Sequence, residues 1–155
     1  MDVERVLLVC DGIDTVATMS WNGNIIGKSR NQFTRHVFPV AFQEESNSLQ
    51  IEFTSPSVYA DAQAAAYPYS VPDGFAPEQY GERNRNFIRK EQCSFSWDWG
   101  PCMLPMGIWK DIYLYPISRD SAWISDVTVD ISKEGSEFIM NVRVLFGSSL
   151  YTHFI

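Results

Sequence analysis

The segment with the clearest chemical potential is Trp97-Asp98-Trp99-Gly100-Pro101, in which two indoles flank one carboxylate. An indole face packs against the C–H surface of a pyranose ring, and a carboxylate accepts hydrogen bonds from two neighbouring hydroxyls. The Gly-Pro step predicts a rigid turn that presents these groups. The pattern is therefore typical of a carbohydrate-binding site. The alternative is that both tryptophans are core residues and the carboxylate caps a turn, because aromatic side chains are usually buried.

Two basic residues, Arg89 and Lys90, precede this segment. They either lie on a neighbouring strand and hold the Asp98 carboxylate ionised, or are charges on a solvated strand. Spacing alone favours the solvated strand. Acidic residues without a partner motif are likewise predicted to be solvated surface: Glu44, Glu45 and Asp61.

Other kinds of catalytic and binding chemistry lack the residues that they need. The sequence has neither a Gly-x-Ser-x-Gly motif nor a plausible triad histidine, so nucleophilic hydrolysis by serine is unsupported. His36 and His153 do not have the spacing of metal ligands, and the cysteines form no CxxC pair. The sequence therefore predicts neither a metal nor a cofactor. Three cysteines cannot all pair in disulfides, so no disulfide scaffold is indicated. A single Cys93–Cys102 disulfide is neither predicted nor excluded by the sequence.

Composition limits the partners of the chain. Its 155 residues include 19 acidic and 12 basic ones, for a formal charge of −7. This charge repels phosphate backbones, so nucleic acid is not expected. No apolar run reaches the roughly 18 residues of a membrane span, and the N-terminus has no cationic region before a long apolar stretch. We therefore expect neither membrane insertion nor a secretion signal, and the sequence does not indicate an oligomeric state.

Hydrophobic periodicity predicts antiparallel β-structure in the first half of the chain. Asn22-Gly23 is a strong hairpin signal because both positions tolerate positive φ. The run Arg5–Val9 is continuously apolar after its first residue, which is typical of a strand buried on both faces or at the start of a chain. The strands predicted up to residue 115 are Arg5–Val9, Thr15–Trp21, Ile25–Gly27, Phe33–Val40, Leu49–Thr54, Asn86–Glu91 and Ile108–Tyr115.

One helix and a second β-region complete the prediction. Ser57–Tyr67 is alanine-rich and precedes a proline, which predicts a helix of about three turns. The proline-rich and glycine-rich stretch Pro68–Gly81 predicts a long loop. Trp123–Ile131 and Glu137–Phe146 are predicted strands, which we interpret as the opening hairpin of a second β-sandwich, whereas Gly147–Ile155 has too little pattern to assign.

The aromatic segment and its flanks resemble the β-mannosidases of glycoside hydrolase family 2, most closely the animal lysosomal type. The resemblance covers about residues 4–145. The residues that carry it are Leu8–Thr18, Asn22-Gly23, Ile26-Gly27, Asn86–Pro101 and Gly107–Asp111.

This resemblance implies an all-β fold. Residues 1–118 are expected to form an incomplete galactose-binding-like jelly-roll β-sandwich with one short helix. Residues 119–146 would begin an immunoglobulin-like sandwich, and 147–155 would be an unassigned tail. In this family a (β/α)8 barrel carries two catalytic glutamates, so no catalytic residue is expected within these 155 residues.

The resemblance also implies roles for individual residues. Asp98 would accept hydrogen bonds from hydroxyls of a terminal mannose, Trp97 would supply an apolar wall, and Arg89 would orient Asp98 or contact the sugar. Trp21 and Trp109 would be core residues. The implied partner is a mannose-terminated oligosaccharide, and the implied location of the complete enzyme is the lysosome.

Three interpretations of the whole chain remain open at this point. The first is a piece of a β-mannosidase that removes non-reducing terminal β-D-mannose during glycoprotein breakdown and is inactive by itself. The second is a non-catalytic carbohydrate-binding β-sandwich. The third is a non-functional truncated product. Under the first and third interpretations, unpaired sheet edges predict a marginally stable chain that aggregates.

Overall fold

The computed structural model describes residues 3–71, 84–96, 100–118 and 122–148. These residues are mostly β-strand, with one α-helix among the described ranges and two short 3-10 helices at Arg85–Phe87 and Gln92–Phe95. The longer elements are β1 (Val3–Cys10), β2 (Ile13–Asp14), β3 (Val16–Trp21), β4 (Asn24–Arg30), β5 (His36–Val40), β6 (Leu49–Phe53), α1 (Pro56–Ala66), β7 (Gly107–Ile108), β8 (Ile112–Ser118), β9 (Ala122–Glu134) and β10 (Glu137–Ser148).

The strands of the described residues form four small sheets. Two have three strands, in the orders β5-β1-β8 and β4-β3-β6, and two have two strands, β2-β7 and β9-β10. Within the second three-stranded sheet, β3 pairs antiparallel with both neighbours, with Ala17 opposite Ser29 on one side and Phe53 on the other. The prediction of an all-β fold with one helix is therefore confirmed.

The hairpin between β3 and β4 forms where the sequence predicts it. Asn22 has φ 49° and Gly23 has φ 81°, so both central residues are in the left-handed region that a two-residue turn of this kind requires. The turn is fixed further by the Asn22 side chain, whose Oδ1 accepts a hydrogen bond from the Ser48 N–H at 2.8 Å. Local turn chemistry thus sets the register of this sheet.

Strand β1 supplies a third of the buried hydrophobic residues, and helix α1 contributes Ala60 to them. Residues 6–10 of β1 are all buried, which confirms the prediction of a strand covered on both faces. The helix ends before Pro68, as predicted, but it begins at Pro56, one residue before the predicted start, because proline fits the first turn of a helix. Its Ala60 lies in a buried cluster with Val16, Ile88 and Phe95. Burial raises the pKa of the Cys10 thiol to about 11, with a smaller contribution from Asp11, so this cysteine is an inert core residue.

Two of the predicted strands are wrong in part because their hydrogen bonds have different partners. Asn86–Glu91 contains the end of a 3-10 helix and then a single parallel bridge from Arg89 to Asn31. Ile108–Tyr115 is interrupted because β7 pairs with β2 whereas β8 pairs with β1. A run of apolar residues does not reveal such a change of partner. Similarly, β5 begins at His36 rather than at Phe33.

The chain divides into two compact units, of which the first is Leu7–Tyr115 and the second consists of the segments before and after it. The second unit contains the β9-β10 hairpin, an antiparallel ladder whose register shifts once, between Leu145 and Phe146, so that Ser125 has no partner in it. The two strands confirm the predicted pair, although β10 extends through Gly147 and Ser148, which had no assignment. The reason is continued pairing, since Gly147 lies opposite Trp123.

One face of this hairpin is an apolar ladder. Directly opposed pairs include Val129 with Val142 and Ile131 with Met140, and each of these side chains is exposed. The other face carries polar groups such as Asp130 and Arg143, which form an exposed ion pair. The hairpin thus has the one-sided pattern of a sheet that packs on a single face.

Candidate functional site

The predicted sugar-binding residues lie in a short stretch whose flanks the structure describes. Trp97 and Asp98 fall outside the described residues, whereas Arg89 and the residues up to Ser96 fall within them, as does Gly100. The described residues therefore include the segment that leads into the predicted site. Because two of the three predicted site residues lie outside the described ranges, their grouping stays a prediction.

Arg89 is exposed, and its main chain is firmly held. Its carbonyl oxygen accepts a hydrogen bond from the Gln32 N–H at 2.9 Å, which forms part of a parallel bridge between Arg89 and Asn31. The backbone before it is extended, with Ile88 at φ −135° and ψ 141°. The guanidinium is thus presented to solvent from a fixed backbone, as a group that binds an oxygen-rich ligand must be.

Lys90 is buried, so its interpretation as a solvated strand charge is wrong. Its side chain is 0% exposed and its Nζ lies 2.5 Å from Asp14 Oδ2. The other carboxylate oxygen of Asp14 accepts a hydrogen bond from the Thr15 hydroxyl. A buried ammonium of this kind requires a charged partner, because desolvation of an unpaired ion is very costly. No spacing rule pairs residues 14 and 90, which are distant in sequence.

Gln32 is a second attachment point that the sequence does not reveal. This buried residue uses its main-chain N–H for Arg89, and its Oε1 accepts a hydrogen bond from the Glu91 N–H at 3.0 Å. Its carbonyl oxygen accepts a hydrogen bond from Trp109 Nε1, also at 3.0 Å. A glutamine between strands has no sequence signature for such a role. Only the tertiary structure shows that it brackets residues 89 and 91.

Two serine hydroxyl groups make hydrogen bonds just before residues 97–99, which lie outside the described residues. Ser94 Oγ donates a hydrogen bond to Glu91 Oε1 at 3.0 Å, within the 3-10 helix region. Ser96 Oγ donates to the carbonyl oxygen of Gly100, which joins the two ends of the stretch. Ser96 has φ 89°, a conformation that costs a non-glycine residue roughly 1–3 kcal/mol. Such backbone strain is common at binding sites.

Cys93 and Cys102 are not joined in a disulfide. The Cys102 thiol lies 3.8 Å from the carbonyl oxygen of Ser94, within the range of a weak sulfur hydrogen bond. In the described ranges, no group of three or more His, Cys, Asp or Glu lies close enough to hold a metal ion. Nor is any helix of those ranges long and apolar enough to span a membrane.

The two tryptophans expected in the core behave differently. Trp21 is 6% exposed and donates its indole N–H to the Ala41 carbonyl oxygen at 2.9 Å, which confirms the prediction. Trp109 is 44% exposed, so that prediction is wrong. Its ring covers Gly12, where a Cβ would lie 2.5 Å from the indole nitrogen, and the Lys110 ammonium lies over it at 4.5 Å. The indole is held at the surface because the Gln32 carbonyl fixes its N–H.

The acidic residues without a motif are exposed as predicted. Glu44 and Glu45 are solvated, and Asp61 is exposed while it accepts a hydrogen bond from Asn84 Nδ2 at 2.8 Å. His36 differs, since its Nε2 is buried and has no hydrogen-bond partner among the described residues. Burial lowers the pKa of His36 below 6.5. It stacks on Phe38 with ring centroids 6.0 Å apart.

Comparisons with known proteins agree on one family. The family model described as the glycosyl hydrolase 2 galactose-binding domain-like region matches residues 1–110. A β-mannosidase of Rattus norvegicus is 50% identical over 112 residues, which are 70% of this chain and 13% of that protein. β-Mannosidase A of Aspergillus aculeatus is 36% identical over 141 residues, 86% of this chain and 15% of that protein.

A solved structure supports the same relationship. The crystal structure of the β-D-mannosidase from Dictyoglomus thermophilum matches with a TM-score of 0.74 and 31% identity, over 94% of this chain and 17% of that chain. The chain thus spans less than a fifth of the length of each of these relatives. The match lies within the part that the family model describes as galactose-binding domain-like, together with residues that follow it.

Proposed function

The chain belongs to the glycosyl hydrolase 2 family, and we propose that it supplies part of the pocket that binds a non-reducing terminal β-D-mannose in a β-mannosidase. The observation that carries the proposal is the similarity to proteins named β-mannosidase across 112 or more residues, together with the family-model match over residues 1–110, which include Trp97-Asp98-Trp99. The substrate class is a mannose-terminated oligosaccharide.

In this proposal the site has three side chains with different roles. The Asp98 carboxylate accepts hydrogen bonds from sugar hydroxyls, and the Trp97 indole packs against the apolar surface of the ring. The Arg89 guanidinium orients the carboxylate or contacts the sugar. Its exposure on a backbone held by Gln32 supports this role, because a binding group must be positioned before the ligand arrives.

Hydrolysis itself is assigned elsewhere. Retaining glycosidases use two carboxyl groups about 5 Å apart on either side of the scissile bond, one as acid and one as nucleophile. By resemblance these are two glutamates of a (β/α)8 barrel, so we expect the 155 residues alone to bind sugar without cleaving it. Action in the lysosome, in glycoprotein breakdown, belongs to the same proposal.

The β9-β10 hairpin is assigned to a different domain from the residues before it. We propose that residues 1–118 belong to the galactose-binding-like jelly roll and that residues 119–146 begin an immunoglobulin-like sandwich. The apolar ladder on one face of β9-β10 supports this assignment, because each sheet of a sandwich buries one face against the other sheet.

The proposed site can be tested by titrating the chain with methyl β-D-mannopyranoside while following backbone amide NMR shifts. We expect saturable shifts in residues 84–100, and much smaller ones with the C2-epimeric glucoside. Asp98→Asn should weaken binding by about tenfold or more, as expected for loss of a charged acceptor. The matched control is Glu45→Gln, at an exposed acidic residue outside the segment. Equal affinity of Asp98→Asn and the unaltered chain would remove Asp98 from the site.

A further inference from the structure

We propose that the buried Asp14–Lys90 ion pair positions the segment Arg89–Ser96, and hence the sugar site to which that segment leads. The inference rests on the proposed function for its sugar-binding consequence, and on geometry alone for its structural part. Neither residue contacts sugar in this account, because the Lys90 side chain is 0% exposed and that of Asp14 only 7%. Both act through the backbone that carries Arg89.

Residues 89–91 are held alternately by main-chain and side-chain contacts. The Lys90 side chain turns into the protein and contacts Asp14, while the main chains of Arg89 and Glu91 both bond to Gln32. In extended backbone, successive side chains point to opposite sides. Burial of the Lys90 side chain therefore directs the Arg89 side chain outward, where it is exposed.

The acidic partner is itself fixed from two directions. Asp14 lies in β2, where it is paired with Gly107 of β7, and its second carboxylate oxygen accepts the Thr15 hydroxyl. One carboxylate oxygen is thus used by Thr15 and the other by Lys90. Such a preoriented acceptor fixes the position of the ammonium more narrowly than an apolar contact would.

The charges also specify the register of the segment. A shift of one residue would bring either Arg89 or Glu91 to the position that Lys90 occupies. Glu91 would place two carboxylates together, and Arg89 would be withdrawn from the surface. A buried ion pair adds little to stability compared with apolar side chains of similar size, so its use here is better explained by register than by stability.

The test uses the 155-residue chain and two variants. Lys90→Met removes the ammonium and keeps the length of the side chain, while the double variant Asp14→Leu/Lys90→Met replaces the pair with two apolar side chains. The control, Arg143→Met, breaks an exposed ion pair in the β9-β10 hairpin. Thermal melting, amide hydrogen exchange and titration with methyl β-D-mannopyranoside are measured for each.

We expect Lys90→Met to melt at lower temperature and to exchange amides of residues 84–96 about tenfold faster or more, as for local opening, while β3, β4 and β6 stay protected. We expect the double variant to recover the melting temperature but to keep both the fast exchange and a mannoside affinity about tenfold weaker. Arg143→Met should change neither exchange in the segment nor affinity.

Recovery of exchange and affinity together with melting temperature in the double variant would overturn the proposal, because packing alone would then position the segment. Failure of both variants to fold would also overturn it, since the pair would then be required for the whole unit. If the unaltered chain does not bind the mannoside, the proposed function fails, while the exchange measurements still decide whether the pair positions the segment.

Discussion

The two regions of this chain differ in whether their charged and apolar side chains are buried or exposed. In Leu7–Tyr115 a lysine is fully buried beside Asp14, and Phe95 is 0% exposed. In the β9-β10 hairpin the ion pair of Arg143 with Asp130 is solvated, while Phe138 is 74% exposed. The residue types are similar, so the difference comes from what covers each strand. Sequence pattern identifies strands well, but it does not show which of their faces are covered within the same unit.

This difference has an energetic consequence. Removing apolar surface from water contributes roughly 25 cal/mol per Å², so buried side chains stabilise the first region and exposed ones contribute little to the second. An isolated two-stranded hairpin is marginal in water. We therefore expect substitutions of the same kind to have large effects in Leu7–Tyr115 and small ones on unfolding of the hairpin.

The largest expected difference is between two phenylalanines. Phe95→Ala should lower the free energy of unfolding of the first region by about 3–5 kcal/mol, because it leaves a cavity between Val16, Ala60 and Ile88. Phe138→Ala should change it by less than about 0.5 kcal/mol, as for an exposed position. Urea unfolding followed by circular dichroism measures both. Similar losses for the two variants would contradict the comparison.

Self-association should depend on one face of the hairpin. Val129 and Val142 lie directly opposite each other in the ladder, so the double variant Val129→Lys/Val142→Glu places a pair of opposite charges in the apolar face. We expect it to reduce aggregation of the 155-residue chain severalfold, because exposed apolar strands promote intermolecular pairing. Sedimentation and gel filtration measure the effect. The control Ser132→Lys/Asn141→Glu adds the same charges to the polar face and should leave aggregation nearly unchanged.

The turn between β3 and β4 should show a smaller effect. Gly23→Ala places a side chain at φ 81°, where nothing lies within 4 Å, so the expected loss of about 1–2 kcal/mol is conformational rather than steric. Thermal melting measures the change. Gly23→Asn tolerates the same φ better and should lose less stability. Equal losses would show that the turn has another conformation in solution.

The smallest expected effect concerns pH. His36 has a pKa below 6.5 in the folded chain because of burial, so the unfolded chain binds more protons as the pH falls through 6.5. Stability from this residue is therefore present above pH 6.5 and is lost on acidification. His36→Phe retains a ring beside Phe38 and removes the titration. Between pH 7 and pH 5 the variant should lose less stability than the unaltered chain; parallel curves would contradict this.

Much of the fold follows from local sequence. The Asn22-Gly23 turn, the buried run in β1 and the alanine-rich helix each depend on neighbouring residues, and each is confirmed. Asn86–Glu91 and Trp109 were mispredicted because their structure depends on distant partners, chiefly Gln32. Periodicity cannot identify a glutamine that binds two separate segments.

The candidate site likewise contains residues that the sequence identifies and residues that only the structure identifies. The aromatic segment and Arg89 are nominated by residue type and by resemblance, and their roles in binding remain predictions. The support beneath Arg89 required the structure, because Asp14 and Lys90 are 76 positions apart and neither belongs to a recognisable motif. Sequence suggests which groups bind, whereas the fold shows how their backbone is fixed.

Steady-state kinetics of a chimaeric β-mannosidase tests most directly whether this chain helps to bind the terminal mannose. In it, the matched segment of the Rattus norvegicus protein is replaced by the corresponding residues of this chain. We predict that the chimaera hydrolyses an aryl β-mannoside. Asp98→Ala should lower its kcat/KM roughly thirtyfold, which corresponds to a loss of about 2 kcal/mol of transition-state stabilisation, because a charged hydrogen-bond acceptor is removed. A well-folded Asp98→Ala chimaera with unchanged kcat/KM would contradict the claim that this chain helps to bind the terminal mannose.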